Sequence, residues 1–212
     1  ASGSIDFADA VRLVRKRGKY MQEAVPQGVG TMAAILGLDA QTVISCCEAA
    51  SDVGIVEAAN LNCPGQIVIS GEVAAVEKCC EIAKERGAKR AITLAVSAPF
   101  HCSMLKPAGE KLSVELENVA VNDMNIALIS NLTADYVKAK EGIKPTLVAQ
   151  VSSPVKWEES VLRMLADGVD TFIEVGPGKA LSGFIKKINK DAVVYNVEDI
   201  ASLNATLEGL GK

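Results

Sequence analysis

Between Thr31 and Val96 the chain changes its hydrophobic period in a fixed order. A strand-like run covers Thr31–Leu36, and a helical pattern opened by Asp39 continues to about Ala50. Two strand-like runs, Gly54–Leu61 and Gln66–Ser70, are joined by the turn Asn62-Cys63-Pro64-Gly65. A second helical pattern, Val73–Arg86, stops at Gly87, and a last strand-like run covers Arg90–Val96. A strand buries alternate residues and a helix every third or fourth, so a segment patterned for one does not sit still as the other. The order strand, helix, strand, strand, helix, strand therefore restricts the fold more tightly than composition does.

That order is the signature of a ferredoxin-like βαββαβ unit. It reads as an insertion, residues 28–97, into a larger α/β domain made of 1–27 and 98–212. The opening helix spans about 6–24, with Phe7, Ala10, Val11, Val14 and Met21 at helical spacing, and Pro26-Gln27-Gly28 ends it. Beyond the insertion, helices are expected over about Met104–Asn118, Pro145–Val151, Val155–Asp167, Lys179–Asn189 and from Ile200, with strands at Ile126–Ser130, Thr171–Val175 and Val193–Asn196. A parallel sheet covered on both faces normally has more strands than this. The larger sheet therefore reads as incomplete, with part of its domain expected before Ala1; a small α/β layer is the alternative. The opening Ala1-Ser2-Gly3-Ser4, without Met or leader, suits a mature chain or a fragment.

The 212 residues are 49% hydrophobic and 23% charged, with a net charge of −4. That balance suits an acidic cytoplasmic enzyme with a sizeable core and argues against a nucleic-acid binder, which needs a basic face. No apolar run reaches the length of a membrane span. There is no C-x-x-C and only one histidine, so no metal site is expected. The neighbours Cys46-Cys47 and Cys79-Cys80 fall in helical patterns and point apart, so neither pair closes a disulfide within itself. These cysteines read as small buried apolar residues in a reducing compartment.

The lone histidine, His101, is the only side chain whose ordinary pKa suits proton transfer near neutrality. It follows a strand-like run and the turn residue Pro99, and precedes a helix. Position alone leaves a structural histidine equally open. Cys102 is adjacent, but neighbours at a turn diverge, which disfavours a Cys–His pair. Gly28-Val29-Gly30-Thr31-Met32-Ala33 matches a dinucleotide fingerprint, yet a helix precedes it and a strand follows, the reverse of what that site needs. Gly176-Pro177-Gly178-Lys179 is a strand–turn–helix lacking the residues of a phosphate loop, read as packing, with a weaker option of a ligand at the helix N-terminus. Arg17-Gly18 lies within a basic run that is otherwise a solvated face; glycine in mid-helix costs about 1 kcal/mol relative to alanine, a cost often accepted where something approaches the backbone closely. No G-x-S-x-G occurs.

The segments Ile5-Asp6-Phe7-Ala8-Asp9-Ala10-Val11, Arg17-Gly18-Lys19-Tyr20-Met21-Gln22, Asn62-Cys63-Pro64-Gly65-Gln66, Ala98-Pro99-Phe100-His101, Pro154-Val155-Lys156-Trp157 and Glu174-Val175-Gly176-Pro177-Gly178-Lys179, in this order and spacing, resemble the C-terminal two-thirds of the bacterial malonyl-CoA:acyl-carrier-protein transacylases. The resemblance implies an α/β-hydrolase-like acyltransferase domain with the ferredoxin-like subdomain inserted. It also implies a ping-pong reaction in which a serine takes malonyl from coenzyme A and passes it to the phosphopantetheine thiol of acyl carrier protein, without a cofactor. By the same resemblance His101 is the catalytic base, Gln150 orients it through its backbone carbonyl, and Arg17 pairs with the malonyl carboxylate. Asn62 and Gln66 belong to a loop facing the cleft, and Phe100 crowds the substrate's α-carbon. The nucleophile motif G-H-S-L-G and a glutamine donor of the oxyanion hole are expected upstream of Ala1, so the chain alone is expected to be inactive. An acyltransferase domain of a polyketide synthase and a non-catalytic module that binds acyl carrier protein are the alternatives.

Overall fold

Asp6 starts the first helix, α1 (Phe7–Ala24), by accepting from the Ala8 N–H at 2.9 Å. The chain is extended again at Val25, ahead of Pro26. These coordinates are a computed structural model, and they describe residues 1–211. The fold divides into two compact units, Ala1–Trp157 and a second beginning at Glu158.

In the first unit, β1 (Gly30–Leu36), α2 (Ala40–Ala50), β2 (Val56–Cys63), β3 (Gln66–Glu72), α3 (Val73–Glu85) and β4 (Arg90–Thr93) follow α1. The strands form one sheet in the order β2-β3-β1-β4, antiparallel at every pairing. Asp39 caps α2 by accepting from Thr42. One face of the sheet offers Ala33, Ile35, Ile67 and Ile69 to Val43, Cys46, Val76 and Cys79 of the two helices. The cysteines in this layer are free and buried, and Cys47 Sγ lies 3.7 Å from Cys79 Sγ. So the neighbours diverge as expected, while Cys47 and Cys79 meet across the helices.

The other face of the sheet carries Met32, Ala59 and Val68, on which Leu94, Val96 and Phe100 pack. Gly30 explains half of the dinucleotide-like pattern: a Cβ there would lie 2.4 Å from the buried Pro99 ring. This close approach seats the segment before His101 on the sheet.

A 3-10 turn (Ser103–Leu105) then runs into α4 (Lys106–Glu117), with Pro107 in its first turn. Leu105, Ala108, Leu112 and Leu116 pack on Leu13, Met21 and Val25 of the α1 region, and Val151 joins them. Of the strand expected at Ile126–Ser130, only β5 (Ile129–Ser130) pairs, with β6 (Asp135–Tyr136). Ile126 and Leu128 are exposed, and just beyond the ladder the Leu128 carbonyl accepts from the Val137 N–H at 2.9 Å. Helix α5 (Ile143–Ala149) ends in a 3-10 turn, Gln150–Ser152.

From α6 (Trp157–Ala166) the chain continues through β7 (Thr171–Val175), α7 (Ala180–Ile188), β8 (Val193–Val197) and α8 (Ile200–Gly209). Strands β7 and β8 pair in parallel across α7, Thr171 opposite Val193 and Val175 opposite Val197. Among the described residues no helix is long and apolar enough to cross a membrane.

Candidate active site

His101 sits between the back of the sheet and the start of α4. Its φ is +61°, a left-handed backbone that L-residues seldom adopt. Such a conformation costs on the order of 1 kcal/mol and persists only where its surroundings enforce it. The enforcement is visible on both sides. Pro99 is fixed by Gly30, the buried Cys102 thiol donates to the Pro99 carbonyl at 3.2 Å, and Gln22 of α1 donates to the Ser97 carbonyl at 3.2 Å. Cys102 is thus engaged with backbone rather than with the imidazole, and burial pushes its thiol pKa up.

The turn aims the imidazole at the C-terminal end of α5. Backbone carbonyls at a helix end lack intrahelical partners and accept from elsewhere. His101 Nδ1 lies 3.2 Å from the Gln150 carbonyl oxygen, which makes Nδ1–H the donor and leaves Nε2 with a free lone pair. The Gln150 side chain points elsewhere: its Nε2 donates to Ser130 Oγ at 3.2 Å. Ser130 is buried and also accepts from the Leu132 N–H at 3.1 Å, so it anchors the residue whose carbonyl orients the histidine. No sequence signal marks Ser130, because its role depends on a partner 20 positions away.

Burial lowers the His101 pKa from its ordinary value, the Arg17 charge lowers it further, and the carbonyls of Gln150 and Ser153 work against both. The net direction keeps the ring neutral at pH 7, the form a general base requires. Arg17 lies on the half-buried side of α1, where burial also lowers its pKa. Its basic neighbours are on the surface: Lys16 pairs with Glu115 at 2.5 Å, and Lys19 lies 3.7 Å from Glu23. Among the described residues no carboxylate pairs with Arg17. Close to it, Ile5, Ala10, Leu13, Val14, Leu112 and Leu147 help to line an apolar cavity of about 170 Å³. A partly desolvated guanidinium beside apolar walls is a strong site for a bidentate carboxylate. Among the described residues nothing lies within 4 Å of the position a Cβ on Gly18 would take.

Phe100 is half-buried and bridges two apolar layers, the α1–α4 core and the back of the sheet. Asn62 stands at an irregularity in the β2–β3 pairing, and Gln66 starts β3 opposite Leu36. Gln66 is four residues along β3 from Ser70, the partner of Glu57, which is about 13 Å of extended chain. The structure therefore joins His101 to Gln150 by a hydrogen bond and places it within the electrostatic reach of Arg17, while Asn62 and Gln66 lie further along the sheet. Strand β2 is nevertheless tied to the segment after Gln150, with Leu61 N–H donating to the Val155 carbonyl at 2.9 Å.

Among the described residues no group of three or more His, Cys, Asp or Glu could hold a metal ion. The N-terminus of α7, the weaker ligand option, is filled by the chain itself. Glu174 accepts from the N–H groups of Leu181 and Ser182, and Glu198 from that of Gly178.

Known proteins are similar to this chain over nearly its whole length. The acyl transferase domain family model matches residues 1–205. A malonyl CoA-acyl carrier protein transacylase of Bacillus subtilis (strain 168) is 49% identical over 211 residues, covering 99% of this chain and 67% of that protein. The Escherichia coli (strain K12) protein of the same name is 44% identical over 207 residues, covering 98% and 67%. The solved malonyl CoA-acyl carrier protein transacylase from Clostridium perfringens superposes with a TM-score of 0.96 at 53% identity, covering 99% of this chain and 66% of that one. A further neighbour, at TM-score 0.95 and 42% identity, covering 98% of this chain and 67% of that one, is a malonyl-transacylase solved in complex with a type II PKS acyl-carrier protein. The chain thus spans about two thirds of the length of these relatives. By family match and by identity along nearly its whole length, the chain belongs to the acyl transferase domain family.

Proposed function

We propose that the chain supplies the base and the carboxylate clamp of an enzyme that transfers malonyl from malonyl-CoA to the phosphopantetheine thiol of acyl carrier protein, as in fatty acid biosynthesis. The observation that carries this reading is one arrangement: His101, with Nδ1 committed to the Gln150 carbonyl at 3.2 Å, lies in the field of Arg17, which no carboxylate neutralises among the described residues. A module that only docked acyl carrier protein would need neither the oriented imidazole nor the open guanidinium.

In this reading the serine nucleophile lies in the additional length that the relatives have, since no G-x-S-x-G occurs in these 212 residues. His101 Nε2 takes the serine proton as Oγ attacks the thioester carbonyl. The C–S bond breaks, and coenzyme A leaves as its thiol with the proton that the imidazolium returns. The thiol of acyl carrier protein then gives its proton to Nε2 and attacks the seryl ester, and serine leaves with that proton. The Gln150 carbonyl holds the tautomer and favours the imidazolium, the task a carboxylate performs in other triads. Arg17 grips the malonyl carboxylate, Phe100 bounds the space at the α-carbon, and Asn62 and Gln66 face the cleft from the inserted subdomain, residues 28–97. No cofactor enters these steps, and the cytoplasm is the compartment where such substrates meet. The relative solved with an acyl-carrier protein supports the choice of acceptor.

The test uses the chain joined to the segment that its relatives carry, with malonyl-CoA and holo acyl carrier protein. His101→Ala should lower transfer by about 10²–10⁴-fold. Arg17→Ala should erode the preference for malonyl over acetyl by roughly 10- to 100-fold, the worth of a charge-assisted hydrogen bond of about 1.5–3 kcal/mol. Transfer unaffected by His101→Ala would remove the base, and discrimination unaffected by Arg17→Ala would remove the clamp.

A further inference from the structure

The helix that begins just after His101 has no cap of its own. Neither the 3-10 turn Ser103–Leu105 nor α4 receives a side-chain hydrogen bond from its local N-cap residue. The N–H of Ser103 donates instead to Glu57 Oε2, at 2.8 Å, from a residue 46 positions earlier on β2. A carboxylate at a helix N-terminus is favoured by the unpaired N–H groups and by the helix dipole. Here it comes from another element, so it fixes where the helix starts relative to the sheet.

The same strand holds the other side of the catalytic hydrogen bond. Ala59 O accepts from the Val155 N–H at 2.8 Å, and Leu61 N–H donates to Val155 O at 2.9 Å. Val155 lies five residues beyond Gln150, at the end of the 3-10 turn and loop that carry the orienting carbonyl. Strand β2 thus grips the segment after His101 through Glu57, and the segment after Gln150 through its backbone. The backbone tie needs no particular side chain. The Glu57 tie needs an acceptor of that length.

We propose that Glu57 is a positioning residue for His101: by accepting the Ser103 N–H it holds the left-handed turn that aims Nδ1–H at the Gln150 carbonyl. It touches no reacting atom and acts only through the turn. For the rate of acyl transfer, the proposal rests on the function proposed above. For the tautomer of His101, it does not.

The lone imidazole makes the experiment direct, because its ring-nitrogen and ring-proton resonances belong to one residue. In the unaltered chain, 15N spectra at neutral pH should show a single tautomer protonated at Nδ1. Glu57→Ala should give a mixture of tautomers, and so should Glu57→Asp, whose carboxylate is one methylene too short. Glu57→Gln, whose amide oxygen can still accept, should restore the single tautomer. Val56→Ala, a core truncation at the adjacent position, should lower Tm and leave the tautomer unchanged; it separates general loosening of the sheet from loss of the tie. In the chain joined to its relatives' additional segment, Glu57→Ala should lower kcat for malonyl transfer on the order of tenfold or more and change KM less than twofold, with Glu57→Gln close to the parent. A single Nδ1–H tautomer in both Glu57→Ala and Glu57→Asp would overturn the proposal. So would failure of Glu57→Gln to restore it. If Glu57→Ala does not fold, Asp and Gln decide between these outcomes. Transfer that is absent even in the unaltered joined protein would defeat the functional reading and leave the tautomer result standing.

Discussion

The four-stranded sheet with α2 and α3 is closed by its own residues, whereas α1 is not. Ile35, Ile69, Val43 and Val76 are all but inaccessible, each provided with neighbours from within 64 residues of chain running from Gly30 to Thr93. Helix α1 has an equally regular apolar period, yet Phe7, Val11 and Val14 stand 82%, 52% and 69% exposed. Only Leu13 and Met21 of that helix are buried. The second unit shows a related openness in its parallel pair, where Val175 is 79% exposed. An antiparallel sheet with two helices on one face closes its core locally, while a parallel pair needs cover on both faces. The contrast teaches that hydrophobic period reports which face an element means to bury. It does not report whether the partner for that face lies within the same stretch of chain.

The sharpest way to break this contrast is to remove bulk from both sides of it. Ile69→Ala should destabilise the chain by about 2–5 kcal/mol in urea unfolding, because it leaves a cavity in a core that cannot collapse. A loss below 1 kcal/mol would mean that this core is not the closed one. The next effect concerns His101, which lies where the two regions meet. Its folded pKa is below its unfolded value, so the unfolded state takes up the proton first as pH falls. Its contribution is therefore complete above about pH 6.5 and is lost as pH drops from there toward the lower folded value. Tm should fall between pH 7 and pH 5, and His101→Gln should flatten that slope. With one histidine in the chain, an unchanged slope would deny the shift.

Smaller effects belong to the open side. Gly18→Ala should stabilise the chain by roughly 0.5–1 kcal/mol, since the helix gains propensity and, among the described residues, nothing lies within 4 Å of the new methyl. Destabilisation in the same measurement would show that something does approach this backbone. Smallest of all, Val11→Ser should change stability by less than about 0.5 kcal/mol, since that side chain is 52% exposed and lies outside the cavity beside Arg17. A loss comparable with that of Ile69→Ala would erase the difference between the regions.

The order of elements from β1 to β4 was legible because each one repeats its own period and ends at Gly, Pro or an acidic cap, as Asp39 and Gly65 illustrate. Ends were less legible where pairing decides them. Strand β4 ends at Thr93, although the apolar run continues to Val96: the Leu94 N–H still donates to the Met32 carbonyl at 2.9 Å, and Leu94 and Val96 pack on the back of the sheet with Phe100. The candidate residues Arg17, Asn62, Gln66, Phe100, His101 and Gln150 came from motif resemblance, with His101 also singled out by its chemistry and Arg17 by the mid-helix glycine beside it. What could not be read was how the site is held: a left-handed backbone at a residue other than glycine, a serine holding Gln150, and a carboxylate on β2 capping a helix 46 residues on. Each is a relation between distant positions, and no local pattern encodes it.

The buried thiols turn the chain into its own clock. All six cysteines are buried, and the Cys47 contact together with burial pushes the Cys79 thiol well above its ordinary pKa. An alkylating reagent can reach them only when the surrounding layer opens. Cys47 and Cys79 mark the interface of α2 with α3, while Cys102 marks the turn next to the imidazole. The order in which these positions gain mass would rank, in seconds or hours, how often each layer lets go.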